Sequence, residues 1–113
     1  MAEMETQVVN IRAFNLKKMG YSNLEEWVAD PNHIYIGRGN PYVKGAFQSK
    51  WANPFTVKKY SRDECIKLYE QHITSDRHLM AALHELKGKT LGCWCHPEPC
   101  HGHILQRLIS KHC

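Results

Sequence analysis

No run of apolar residues in this chain approaches the ~20 needed to cross a membrane as a helix. The opening MAEMETQ is acidic and polar, without the apolar segment of a secretory signal. These absences predict an intracellular protein with reduced thiols and no membrane partner. The chain has no internal repeat, no low-complexity tract and no linker, so its 113 residues are read as one domain, 1–113, with a core from about 6 to 112. No carboxylate pair has the spacing of a glycosidase, and no serine nucleophile elbow occurs. Blocks of like charge are missing too. The net charge of +4 permits an anionic small molecule or a nucleic acid as partner and demands neither. A content of 42% hydrophobic and 23% charged residues excludes a disordered chain.

Cysteine, by contrast, is well supplied. The count is five, and two of the five are separated by a single residue. An odd number with that spacing argues against a disulfide framework and points to metal binding or chemistry. Three cysteines and three histidines crowd into LGCWCHPEPCHGH, Leu91 to His103.

Strand and helix patterns alternate. TQVVNIR (Thr6–Arg12) reads as a strand, and Ser22 to Ala29 as a short helix whose Ser22 and Glu25 have capping-box spacing. HIYIGRGN starts as a strand through Ile34, Tyr35 and Ile36 and breaks at its glycines. Pro41 to Val57 reads as a long loop, a length usually tied to function. Ser61 caps the clearest helix, with Glu64 completing the box and Cys65, Ile66, Tyr69 and Ile73 forming its apolar stripe. A third helix starts near Asp76, buries Leu79, Met80, Leu83 and Leu86, and stops at Lys87-Gly88. KTLGCWC is the last strand, and the final helix carries Ile104, Leu105, Leu108 and Ile109. The order predicts an α/β fold: a small three-layer, Rossmann-like domain with a short, mainly parallel sheet flanked by helices. Ligands of such sheets bind beyond the carboxyl ends of the strands. GRGN and CWCHPEPCHGH both lie at such ends.

In the last strand, side chains two apart share a face, so Leu91, Cys93 and Cys95 oppose Gly92 and Trp94. Pro99 suits the first turn of the final helix, which places Cys100 and His101 in that turn too. Its unpaired amides and positive dipole end favour an anion and lower a thiol's pKa. Three readings stay open. The first is an anion or thiolate site, with Cys100 as nucleophile or His101 as acid/base. The second is zinc held by Cys93, Cys95, Cys100 and His101 (or His103), whose ligand types fit but whose C-x-C-x4-C-H spacing is not a common structural one. The third is small buried thiols with solvated histidines. Gly37 and Gly39 bracket Arg38 and suggest unusual dihedrals or close approach to a ligand, with Arg38 offering a planar fork to phosphate. A plain turn explains them as well. In QSKWANPF, Lys50 can meet a phosphate and Trp51 can stack on a base or plug the core.

The segments YIGRGN, SKWANPF and LHELKGKTLGCWCHPEPCH together resemble a catalogued family, the domain of unknown function numbered DUF4326. Ala52 stands where that family has glycine. The resemblance implies a Rossmann-like fold and a site built from Arg38, Ser49, Lys50, Trp51, Asn53, Cys100 and His101, and supplies no reaction. The expectation is a protein that binds a phosphorylated or nucleotide-like small molecule. Its pocket comprises Gly37, Arg38, Gly39, Asn40, Ser49, Lys50, Trp51 and Asn53, with Cys100 and His101 as the chemical groups and no cofactor. The alternatives are a zinc-binding interaction module and a nucleic-acid binder.

Overall fold

The computed structural model describes residues 5–96, 98 and 100–113. Three strands, β1 (Gln7–Asn10), β2 (His33–Tyr35) and β3 (Thr90–Cys93), form one sheet in the order β1-β3-β2, both pairings parallel. The three segments predicted to pair do so, but their ends are shorter. Past Cys93 side chains take over the ladder. The Trp94 carbonyl accepts from Arg12 Nε at 3.1 Å, and the His96 carbonyl accepts from Asn10 Nδ2 at 2.7 Å. The Ile36 amide still donates to the Gly92 carbonyl, at 3.1 Å.

The chain runs outward from β1 to β2, skipping the middle position, then returns to it as β3. The two connections bury their apolar residues in separate clusters. The first connection holds α1 (Ala13–Lys18) and α2 (Leu24–Val28). The second holds α3 (Arg62–Thr74), α4 (Arg77–Ala82) and a 3-10 turn at Leu83–Leu86, and α5 (His101–His112) follows β3. Buried apolar residues divide accordingly. Ile11, Leu16, Leu24, Trp27 and Tyr35 make one cluster; Tyr69, Ile73, Leu83, Leu86, Leu91, Cys93 and the α5 stripe make the larger one. The period-two alternation of β3 joins them, with Leu91 and Cys93 in the larger cluster and Gly92 against the smaller. A Cβ on Gly92 would sit 2.7 Å from Trp27 Cη2 and 2.8 Å from Ile11 Cγ2, so only glycine lets the indole cover the middle strand.

Local signals explain most of the helix ends. Ser61 Oγ accepts the Glu64 amide at 3.2 Å, and Asp76 Oδ1 accepts the amides of His78 and Leu79. The cap expected at Ser22 falls one residue later: Asn23 Oδ1 takes the Glu26 amide at 2.8 Å, and the Glu26 carboxylate accepts the Ser22 amide. Met80, expected in the core, is only half-buried, while Leu83 and Leu86 in the 3-10 turn are buried as expected. Helix α1 went unpredicted. It has six residues, one buried side chain (Leu16) and no side-chain cap, too little for a periodic signal.

Gly92→Ala is expected to lower unfolding free energy by about 1–3 kcal/mol, the cost of overpacking a filled core. Urea denaturation measures it. A midpoint equal to that of the parent chain would contradict the close approach of Trp27.

Candidate functional site

A cavity of about 540 Å³ opens beyond the carboxyl ends of β2 and β3. Its walls come from the 37–42 loop, the 53–58 segment, the start of α3, the turn after β3 and the first residues of α5. Of the residues singled out from sequence, Gly37, Arg38, Gly39, Asn40, Asn53, Cys100 and His101 line it. Ser49, Lys50 and Trp51 do not, whereas Asn53 and Phe55 of the same SKWANPF loop do. Trp51 is 3% exposed and packs in the larger core cluster, its carbonyl accepting the Tyr69 hydroxyl at 2.6 Å. Lys50 Nζ pairs with Glu85 at 2.9 Å, and Ser49 Oγ accepts the Trp51 amide at 3.0 Å in a local turn.

The loop after β2 is held by its own side chains. Trp94 Nε1 donates to the Tyr35 hydroxyl at 2.9 Å, and that hydroxyl donates to the Arg38 carbonyl at 2.5 Å. Burial pushes the Tyr35 phenol up from its ordinary pKa, which keeps the proton it donates. Gly37 lies under the Tyr35 ring, where a Cβ would clash. Close approach, and not positive φ, is therefore what this glycine supplies: the positive-φ glycines are Gly20, Gly45 and Gly88. Arg38 reaches across to the other wall, donating from Nε to the Asn53 carbonyl at 2.8 Å and from Nη2 to the Phe55 carbonyl at 3.2 Å. Asn40 and Asn53 close tight turns through their Oδ1 atoms, which accept the amides of Tyr42 and Phe55.

The start of α5 brings the sulfur and imidazole groups together. Cys100 is the N-cap and His101 the first helical residue; Pro99, expected in that turn, lies outside the described residues. Cys100 Sγ stands 3.3 Å from Cys93 Sγ, both buried and neither in a disulfide. The pair favours a single shared proton. Its hydrogen bond to Cys100, with the amides of His96 and Cys95, pulls Cys93 down to about 6, while the same bond and burial push Cys100 up. The thiolate expected at Cys100 thus belongs to a Cys93–Cys100 pair sharing one proton, which either sulfur can donate. His101 is buried, with Nε2 donating to the Ile36 carbonyl at 2.7 Å, and its ring meets Tyr69 edge-on at 5.0 Å. Desolvation lowers its pKa, so it is neutral at pH 7, with Nδ1 unprotonated. His103 closes the cap: its Nδ1 accepts the Cys100 amide at 3.2 Å, and its Nε2 lies 3.1 Å from His96 Nδ1. An amide can only donate, so neutral His103 carries its proton on Nε2 and donates it to His96. His101 commits Nε2 to a carbonyl, and among the described residues no three Cys, His, Asp or Glu side chains gather as metal ligands.

The domain of unknown function DUF4326 matches residues 20–111. The chain belongs to that family. It is 40% identical over 93 residues to the uncharacterized protein R718 of Acanthamoeba polyphaga mimivirus, covering 70% of each chain. It is 34% identical over 65 residues to the uncharacterized 12.4 kDa protein in the nrdA-td intergenic region of Enterobacteria phage T4, covering 54% of this chain and 60% of the phage protein. No solved structure matches it.

Several groups of this DUF4326 site were not legible as such. Lys58, Arg62 and Phe55 reach the wall because the 53–62 segment folds back under Arg38, a long-range contact without a local signature. The Cys93–Cys100 pairing had a partial signal, since both fall near element ends in one motif.

The lowered pKa values of His101 and His103 set a pH dependence. The unfolded chain, with ordinary histidines near ~6.5, takes up protons before the folded one does. Their contribution to stability is therefore full above about pH 6.5 and is lost as pH falls through the folded values. The urea midpoint should drop between pH 7.5 and 5, and His101→Gln, which retains a donor for the Ile36 carbonyl, should flatten that drop. An unchanged slope in the variant would count against a buried neutral His101.

Proposed function

We propose that this protein binds a phosphorylated or nucleotide-like small molecule in the cavity beyond β2 and β3. One observation carries the reading: Arg38, Lys58 and Arg62 stand in the wall, and among the described residues no carboxylate lines it. Cations lining one concave surface raise the local concentration of an anion. Glu98 Oε2 lies 4.0 Å from Arg62 Nε and offsets part of that charge. A volume of about 540 Å³ is that of a small-molecule site. Arg38 is already braced by two backbone carbonyls, so it loses little freedom on meeting an anion. The positive end of α5 adds to the same field. Tyr42, 94% exposed, and Phe55 give the wall aromatic surface on which a base can stack. Cys100 and His101 border the space and are the groups placed to act on a bound ligand.

The same reading takes the fold as a small three-layer, Rossmann-like arrangement, supported by apolar clusters on both faces of a parallel sheet. It takes the setting as intracellular and reducing, supported by five unpaired cysteines. Among the described residues no helix is long and apolar enough to cross a membrane.

Calorimetric titration with a nucleoside 5′-monophosphate, the matching nucleoside and pyrophosphate tests the proposal. The phosphorylated compounds should bind and weaken with added salt. Arg38→Ala should cost about 10- to 100-fold in affinity, the worth of one or two charged hydrogen bonds. Lys58→Ala, at an exposed position, should cost less. Equal binding of nucleoside and nucleotide, or indifference to both substitutions, would refute an anion site.

A further inference from the structure

Two buried sulfur atoms stand 3.3 Å apart at the back of the cavity, and one of them borders it. They come from different elements, Cys93 from the end of β3 and Cys100 from the cap of α5, and each is held by neighbouring amides. Those of Cys95 and His96 serve Cys93; those of Gly102 and His103 serve Cys100. Such amides stabilise negative charge on sulfur, which a merely space-filling thiol does not need. To reach the disulfide bond length of ~2.05 Å the sulfurs must close by about 1.3 Å, a shift on the scale of a side-chain rotation. Among the described residues Cys65 has no sulfur partner of this kind: its Sγ lies 3.9 Å from the Tyr60 carbonyl. Cys113 is exposed at the terminus.

We propose that Cys93 and Cys100 are a redox-active dithiol that reduces a hydroperoxide admitted through the cavity and closes to a disulfide. Cys100, the sulfur on the cavity wall, is the attacking group, and Cys93, behind it, resolves. Cys100 attacks the terminal oxygen as the thiolate, with the pair's shared proton on Cys93 across the 3.3 Å contact. A sulfur–oxygen bond forms and the O–O bond breaks; the alkoxide leaves and takes a proton from solvent as the alcohol. Cys93 then attacks the Cys100 sulfenic acid, the S–S bond forms, and the sulfenic hydroxyl departs with the Cys93 proton as water. The dithiol loses two electrons and the peroxide gains them, giving one disulfide, one alcohol (water for hydrogen peroxide) and one water. Two molecules of a small thiol restore the pair by exchange. No anionic ligand takes part, so the proposal stands or falls separately from the anion site.

The test uses the full chain with all five cysteines. The reduced protein is mixed with one equivalent of hydrogen peroxide, quenched with an alkylating agent and mapped by peptide mass spectrometry without reductant. The expected product is an intramolecular Cys93–Cys100 bond, with Cys65, Cys95 and Cys113 alkylated and the bond lost on adding dithiothreitol. A linkage involving Cys95 or Cys113, or five alkylated thiols after exposure, overturns the assignment. Cys93→Ser should arrest the reaction at a Cys100 sulfenic acid that dimedone traps, and a sulfenic acid on any other cysteine contradicts the order of attack. The mapping of the parent chain decides the proposal even if that variant does not fold.

Discussion

One buried hydrogen bond, from His101 Nε2 to the carbonyl of Ile36 at 2.7 Å, ties the start of α5 to the residue that follows β2. The site depends on it. β2 and β3 already run side by side, so their carboxyl ends are close; the bond draws the first turn of the last helix onto those ends. It does so at low cost because the imidazole is neutral and its edge rests on Tyr69, which burial keeps protonated. With the turn in place, Cys100 reaches Cys93 and His103 closes the cap behind it.

Electrostatics and rigidity then act together. The chain's positive charge is spread widely, and what distinguishes the cavity is Arg38, clamped by the Asn53 and Phe55 carbonyls and supported below by the Trp94–Tyr35 hydroxyl relay. These bonds join the loop after β2 to the turn after β3 and to the segment leading into α3. A ligand meeting Arg38 therefore meets a surface that is already ordered, and the binding free energy is not consumed in ordering it.

The parallel sheet and the helices α3, α4 and α5 were legible because each carries a strong local signal: a cap at Ser61 or Asp76, a stripe from Ile104 to Ile109, an alternation in β3. Helix α1 was not, since one buried leucine defines no period. The candidate site divides in the same way. Residues at the ends of strands and at the helix start, Gly37 to Asn40 and Cys100-His101, follow from topology alone, and they line the cavity. Residues inside an irregular loop do not. Nothing local separates Trp51, which fills the core, from Phe55, which faces the cavity, or Lys50, bound to Glu85, from Lys58 on the wall. The direction of a loop side chain is decided by what the rest of the fold leaves open to it.

The central claim is that an anion is received at the shared end of β2, β3 and α5. Amide chemical shifts followed by heteronuclear NMR during titration with pyrophosphate test it most directly. The account requires saturable shifts concentrated at Gly37, Arg38, Gly39 and the first amides of α5. Shifts scattered over the surface lysines, growing linearly without saturation, would contradict it.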